Sequence, residues 1–164
     1  MNLTKQLASG ARTAAAATSK ERLRLWLRLL KVSRFVEGEL RERLREEFDS
    51  TLPRFDVLAA LYRAEDGLKM SELSGVLRVS NGNVTGIVER LVDEGLLLRI
   101  PVVGDRRATL VRLTQKGHER FAKMAGVHEA WVNDILAEIS PDDARQIIEL
   151  LTLLAAKANQ ERQA

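Results

Sequence analysis

The chain has 164 residues, of which 45% are hydrophobic and 30% are charged, as is typical of a soluble protein with one packed domain. It contains no cysteine, so disulfides, thiolate metal sites, cysteine nucleophiles and thiol-based redox sensing are excluded. No run of about 18 apolar residues is present, which argues against a transmembrane helix. The net charge of +3 favours an anionic partner. We therefore expect a cytoplasmic protein without membrane association.

The first 19 residues contain no acidic side chain and are rich in alanine, threonine and serine. They lack the apolar core of a signal peptide, and a transit peptide is the alternative to an unstructured arm. This composition predicts a flexible N-terminal arm over residues 1–19, followed by a single domain over residues 20–164.

A long helix is predicted from Ser19 to about Phe48 because apolar residues recur along it at helical spacing. They form two stripes, and a helix with two apolar faces usually has two partners. One face can pack on its own chain and the other on a second subunit, which predicts a homodimer. The alternative, burial within a larger monomer, leaves too little chain to cover both faces. The stripes consist of Leu23, Leu27, Leu30, Leu40, Leu44 and Phe48, and of Leu25, Leu29, Val32 and Val36.

Three shorter helices are predicted next along the chain. Proline suits the first turn of a helix, and here it opens one over residues 53–64. A second short helix spans residues 71–77. After a tight connection, Ser80 is a favourable N-cap for a third helix over residues 81–94, and Gly95 ends that helix as its C′ residue.

The sequence then changes from a helical to a strand pattern. Residues 96–103 are β-branched and apolar, and in residues 109–113 Thr109, Val111 and Leu113 alternate with Leu110 and Arg112. These patterns predict two strands joined by a turn at residues 104–107. Two further helices are predicted, one over residues 114–139 and one from residue 141, where a Ser-Pro-Asp-Asp sequence supplies a cap, a proline and two acids.

This order of elements predicts a mainly α fold with a small β-hairpin wing, the winged helix-turn-helix. We expect the DNA-binding region over residues 51–114 and dimerisation helices over residues 20–50 and 115–164. Such a fold holds one helix at a fixed angle so that it can enter the major groove of DNA.

The predicted helix over residues 81–94 is the expected recognition helix. Val84, Ile87, Val88 and Leu91 share one face and are expected in the core. The opposite face is small and polar, and asparagine and threonine can hydrogen-bond base edges. The residues predicted to contact DNA are Ser80, Asn81, Gly82, Asn83, Thr85, Gly86, Glu89 and Arg90.

Two glycines on the polar face of this helix are informative. Inside a helix, Gly82 and Gly86 each cost about 0.5–1 kcal/mol relative to alanine. Their positions suggest that a partner approaches the backbone closely, as the wall of a DNA groove would. The alternative is neutral variation on a solvated face.

The predicted wing tip is basic. Arginine is favoured in a narrow minor groove, so Arg106 and Arg107 are candidate DNA contacts, and Asp105 can orient one of them by a charge-assisted hydrogen bond. Residues 69–116 contain eight basic and five acidic side chains, a net charge of +3 that equals the excess of the whole chain. Such a charge distribution is expected of a surface that contacts phosphates.

Three segments of the chain resemble the MarR family of winged helix-turn-helix regulators. The family's wing signature reads Asp-x-Arg, a short strand and then Leu-Thr-x-x-Gly, and residues 96–117 resemble this wing and the start of the helix that follows it. Residues 80–85 resemble the start of the family's recognition helix, and residues 90–96 resemble its end. The resemblance covers roughly residues 20–160.

This resemblance implies a triangular homodimer that binds a palindromic operator on double-stranded DNA, with one recognition helix in each half-site. It also implies repression that a small ligand relieves. By the match to the wing signature, Arg107 is the signature arginine, Asp105 its partner and Arg106 an additional basic group. Which of the two arginines enters the groove stays open.

Ligands of the MarR family commonly sit between the dimer helices and the winged domain. An aromatic carboxylate needs an apolar slot and a cation, and Arg34 could supply the cation on the same helix as Trp26. The recognition helix also resembles that of regulators of aromatic-acid catabolism, some of which respond to phenolic acids or their CoA thioesters. The alternative is ordinary core packing beside a solvated arginine. The candidate effector-binding residues are Trp26, Leu30, Arg34, Phe35, Phe55, Phe121 and Met124.

Other functions are disfavoured by missing chemistry. An enzyme would need a nucleophile, paired carboxylates or a metal cluster, and no phosphate-binding glycine loop is present. His118 and His128 are ten residues apart and do not share a face of their predicted helix, so we predict no metal and no cofactor. A winged helix that binds another protein is the remaining alternative, and it would not require Gly82, Gly86 or the basic wing tip.

Overall fold

The computed structural model describes residues 3–78, 80–102 and 105–161, with side chains for residues 18–78, 80, 82–102 and 109–157. The chain divides into two compact units, residues 1–125 and 126–164. Nine elements follow in order: α1 (Leu3–Phe48), α2 (Leu52–Tyr62), β1 (Leu68–Lys69), α3 (Met70–Leu77), α4 (Asn81–Asp93), β2 (Leu97–Val102), β3 (Asp105–Leu113), α5 (Gln115–Ile135) and α6 (Pro141–Glu161).

Helix α1 is longer than the sequence predicted. The structure continues it back to Leu3, through the segment for which we expected a flexible arm. The four consecutive alanines over residues 14–17 favour this extension, because alanine has the highest helix propensity. At its other end the helix stops at Asp49, whose left-handed φ of 48° turns the chain, and the Ser50 amide donates to the Leu44 carbonyl at 3.1 Å.

The core of the first unit forms where α2, α3 and α4 pack together. Side chains from the end of α1, from α2 and from α4 are almost completely buried there, and β2 and β3 cover them. Burial of each large aliphatic side chain contributes about 1.5–3 kcal/mol, so this cluster supplies most of the unit's hydrophobic stabilisation. The side chains with no more than 1% exposure are Leu44, Val57, Leu58, Leu61, Leu73, Val84, Val88, Leu91, Val111 and Met124.

The strands form a three-stranded antiparallel sheet in the order β1–β3–β2. β2 and β3 are the predicted hairpin, and they pair from Leu97 opposite Leu113 to Pro101 opposite Thr109, beyond which the register shifts. β1 was not predicted, because two residues are too few to show an alternating pattern. The mainly α fold with a small β wing is confirmed, with the sheet one strand wider than expected.

The start of α5 fits tightly against the loop between α4 and β2. The Thr114 hydroxyl donates to the Gly95 carbonyl at 2.7 Å and accepts from the Gly117 amide at 3.0 Å, so it also caps α5. Lys116 Nζ donates to the Glu94 carbonyl at 2.8 Å. A side chain on Gly117 would overlap the Leu96 carbonyl oxygen. The Leu-Thr-x-x-Gly segment therefore holds the end of α4 against α5.

The second unit contains the later part of α5 and all of α6. The predicted cap of α6 is confirmed, because Ser140 Oγ accepts from the Asp143 amide at 3.2 Å. An apolar groove of about 920 Å³ runs between the two helices, with Leu136, Ala144 and Ile148 among its walls. Among the residues that the structure describes, no helix combines the length and the hydropathy that crossing a bilayer requires.

Candidate nucleic-acid interface

Helix α4 is held in the first unit by its apolar face. Val84, Val88 and Leu91 are fully buried, and Ile87 is half-buried. The helix packs on α2, α3 and β2. The predicted core face is therefore confirmed, and packing on three sides fixes the angle at which the opposite face is presented.

The opposite face of α4 is open to solvent. Gly82, Asn83, Gly86, Glu89 and Arg90 are exposed, as predicted. Ser80 is also exposed and occupies the N-cap position, where its carbonyl accepts from the Asn83 and Val84 amides at 3.1 and 3.3 Å. Thr85 is half-buried, and the side chain of Asn81 lies outside the described residues.

The two glycines of α4 have no role in the packing of the described part of the chain. A Cβ added to Gly82 or Gly86 would meet none of its atoms within 4 Å. Gly67 and Gly95 differ, because their φ angles of +88° and +71° disfavour any side chain. The fold thus explains Gly67 and Gly95, but it offers no reason for glycine at positions 82 and 86.

Glu89 has a partner that the sequence did not suggest. Its carboxylate lies 3.8 Å from the guanidinium of Arg99 on β2, and both side chains are exposed. An exposed ion pair of this kind adds little stability. The pair places a further basic group, Arg99, beside the recognition helix. The only indication of this contact in the sequence is that Arg99 falls on the exposed side of the alternating strand pattern.

The wing is formed by β2 and β3, and β3 begins at Asp105. The predicted turn over residues 104–107 is therefore wrong for residues 105–107, which belong to β3, and Asp105 pairs with Val102. Gly104 lies outside the described residues. The side chains of Asp105, Arg106 and Arg107 lie outside the described residues, so their contacts with DNA stay predictions.

Comparison with known proteins identifies the family. A sequence model of the MarR family matches residues 50–109. The uncharacterised HTH-type transcriptional regulator YkoM of Bacillus subtilis is 30% identical over 115 residues, which are 70% of this chain and 73% of that protein. A MarR family transcriptional regulator from Silicibacter pomeroyi, known from its crystal structure, is 30% identical with a TM-score of 0.73 over 86% of this chain and 97% of its own. The chain belongs to the MarR family.

MarR-family proteins are DNA-binding transcriptional regulators. Membership of this family confirms the predicted fold and the prediction that this chain is not an enzyme. A MarR mutant from E. coli has been crystallised with operator DNA, and it is 27% identical with a TM-score of 0.72 over 82% of this chain and 95% of its own. The matches to three curated regulators span between 64% and 75% of those proteins' lengths.

The predicted effector residues of this MarR-family chain fall into two groups. Three of them are buried in the first unit, with the rings of Phe55 and Phe121 centred 5.4 Å apart. The others lie on α1, where Trp26 and Phe35 are more than half exposed. The apolar groove beside α6 is lined by none of these residues. The buried residues are Phe55, Phe121 and Met124, and those on α1 are Trp26, Leu30, Arg34 and Phe35.

The two histidines of α5 have separate environments. The ring of His118 lies 5.5 Å from that of Tyr62, and partial burial lowers the pKa of His128. Within the described ranges, no group of three or more potential metal ligands is present.

Proposed function

We propose that this protein is a homodimeric repressor that binds a palindromic operator. Each subunit places α4 in the major groove of one half-site and its wing arginines in the adjacent minor groove. The observation that carries the proposal is the exposed, glycine-containing face of α4, because nothing in the described packing explains glycine at positions 82 and 86.

Dimerisation is supported by apolar side chains that remain exposed at both ends of the chain. On α1, Leu23, Leu25, Trp26 and Leu27 are each more than half exposed. On α6 the exposed set is larger, and burying apolar surface is the main driving force for association. The exposed apolar side chains of α6 are Ile147, Ile148, Leu150, Leu151, Leu153 and Leu154. A second copy of the chain would cover both sets.

Release by a small molecule is the regulatory part of the proposal. An aromatic acid or its CoA thioester is the effector that the resemblance to regulators of aromatic-acid catabolism favours. Since α4 is anchored by contacts at its C-terminal end, a ligand that alters those contacts would change the angle at which α4 meets the groove.

The proposal is tested on DNA from upstream of the protein's own gene. Fluorescence anisotropy should show binding of one dimer to two half-sites about one helical turn apart, with affinity that falls steeply as salt rises. Replacing Arg106 and Arg107 together by alanine should abolish specific binding, whereas Arg145→Ala on α6 should leave it unchanged. Unaltered binding by the wing variant, or affinity that does not depend on salt, would favour the protein-interaction alternative.

A sharper test separates stability from DNA binding. Replacing Gly82 and Gly86 by alanine should stabilise the free protein by about 0.5–1 kcal/mol at each site, because glycine is the poorer helix former. The same change should weaken operator binding at least tenfold if the DNA backbone approaches α4 closely. Gly38→Ala in α1 is the matched control, since its added Cβ is also unobstructed within the described residues. It should stabilise the protein without weakening DNA binding. Full DNA affinity in the Gly82/Gly86 variant contradicts the proposal.

A further inference from the structure

The turn between α3 and α4 contains a backbone conformation that its residue type does not favour. Arg78, the C-cap residue of α3, has a φ of 54° and a ψ of 37°, which lie in the left-handed region. Its amide donates to the Gly75 carbonyl at 3.3 Å and so closes the end of α3. A residue with a Cβ is disfavoured in this region, and glycine is the residue that most often ends a helix there. The turn therefore needs the left-handed backbone, but it does not need an arginine.

Three other residues in the described ranges have a positive φ, and each is of a type that tolerates it. Gly67 and Gly95 carry no Cβ, and their φ angles are +88° and +71°. Asp49 has a φ of 48°, and aspartate enters the left-handed region more readily because its short polar side chain can hydrogen-bond locally. Arginine has no such local compensation. Among these positions, only position 78 holds a residue type that the local backbone disfavours.

The guanidinium of Arg78 is not used by the described part of the fold. The side chain is exposed, and within the described ranges it forms no ion pair and no hydrogen bond. Other arginines of the same unit do have acidic partners, since Arg54 pairs with Glu94 and Arg99 lies 3.8 Å from Glu89. No contact in the described structure therefore offsets the unfavourable backbone conformation of Arg78.

Arg78 lies close to the part of α4 that the proposed function places in the major groove. Two peptide units separate Arg78 from Ser80, so their Cα atoms are at most about 7.6 Å apart. The major groove is about 12 Å wide and is bordered by the phosphates of both strands. When the first turn of α4 contacts the bases, a phosphate at the edge of the groove is within reach of a long side chain at position 78.

We propose that Arg78 contacts a phosphate of the DNA backbone at the edge of the major groove, an assignment that rests on the proposed function. The guanidinium donates a charge-assisted hydrogen bond to a phosphate oxygen. Such a contact fixes the position of α4 on the duplex and carries no information about the base sequence. The stability that the free protein loses at position 78 is offset when the guanidinium meets the phosphate.

Two variants of the full chain separate the backbone conformation from the charge. Arg78→Gly removes both the strain and the guanidinium, and it should raise the Tm by about 2–4 °C. Arg78→Gln keeps the strain and removes only the charge, so its Tm should equal that of the wild type. Fluorescence anisotropy should show the same loss of DNA affinity in both variants, at least about fivefold at about 0.1 M salt. Arg145→Gln, which removes one exposed arginine from the other unit, is the charge-matched control and should bind DNA like the wild type.

The salt dependence and the choice of DNA identify the kind of contact. Each phosphate contact adds about 0.9 to the steepness with which log K falls against log salt concentration, so Arg78→Gln should reduce it by about 0.9 for each bound subunit. The affinity should fall by the same factor on DNA from upstream of the gene and on a random-sequence duplex of equal length. Arg78→Lys keeps the charge and should retain most of the affinity and of the salt dependence.

Unchanged affinity and salt dependence in Arg78→Gln would overturn the proposal, and so would a loss confined to the upstream DNA, which indicates a base contact. Different DNA affinities of Arg78→Gly and Arg78→Gln would show that the backbone conformation, and not the guanidinium, carries the effect. Equal binding of both duplexes by the wild type would contradict the proposed operator recognition. The random-sequence duplex would still decide whether Arg78 contacts a phosphate.

Discussion

At the scale of single residues, two ionisable side chains give the molecule opposing responses to acid. Burial lowers the pKa of His128, so the unfolded chain binds a proton more readily than the native state. The native state accommodates the neutral form of His128 better than the charged form. The free energy of unfolding therefore decreases as the pH falls from about 6.5 through the lowered pKa of the native state. Burial raises the pKa of Asp56, and the nearby charge of Glu37 adds to this. The carboxyl group of Asp56 therefore takes up a proton at a higher pH in the native state than in the unfolded chain, and this favours folding as the pH falls.

His128→Gln should make stability less dependent on pH in the mildly acidic range. The glutamine carries no charge, so the loss of stability between about pH 6.5 and pH 5 should be smaller than in the wild type. Thermal melts at pH 5 and pH 7.5 measure this difference. The contribution of Asp56 to the pH dependence is the same in both proteins and cancels in the comparison. An equal or larger loss in the variant would show that His128 does not carry the effect.

At the scale of elements, the sequence predicted the order of helices and strands because most of them bury a periodic apolar face. The core face of α4, the N-cap position of Ser80 and the C′ position of Gly95 follow from local chemistry, and all three are confirmed. The strand β1 was missed because its two residues show no period. The contacts of Arg54 with Glu94 and of Lys116 with the Glu94 carbonyl were also missed, since each joins segments distant in sequence.

The contact between α5 and the α4–β2 loop gives a prediction for Gly117. Gly117→Ala should destabilise the protein by about 1–3 kcal/mol, because its Cβ would overlap the Leu96 carbonyl and force the two segments apart. Chemical denaturation measures the change. Gly126→Ala on the same helix is the control, since its Cβ meets no described atom within 4 Å and should be neutral or slightly stabilising. Similar stability of the two variants would contradict the tight fit.

At the scale of the whole molecule, the sequence predicted the two-faced α1, but it could not show which part of that helix packs within its own chain. In the structure the buried side chains of α1 begin at Leu40, and the preceding described part is largely exposed. The sequence also could not show that the predicted effector residues divide between the largely exposed part of α1 and the buried core of the first unit. Apolar composition indicates that side chains are buried, but not which chain buries them.

The proposed homodimer predicts a defect from charges placed on α6. Leu150 and Leu153 are 63% and 69% exposed, so replacing both by glutamate should leave the fold of one chain intact while opposing association. Sedimentation velocity should show a monomer, and operator affinity should fall by orders of magnitude because two half-sites are no longer bound together. Glu149→Gln on the same helix is the control and should remain dimeric. A dimeric Leu150/Leu153 variant would place the interface elsewhere.

The anchoring of α4 at one end has a geometric consequence. Glu94 contacts Arg54 and Lys116, and the adjacent Gly95 carbonyl accepts from Thr114, so the helix is fixed where it meets α2 and α5. A rotation of about 5° around that end displaces the other end of a helix about 20 Å long by about 1.7 Å. Hydrogen bonds tolerate only about 0.5 Å of variation in length. A rotation of a few degrees around the anchored end would therefore be enough to break the proposed base contacts at Asn83 while every helix stays folded.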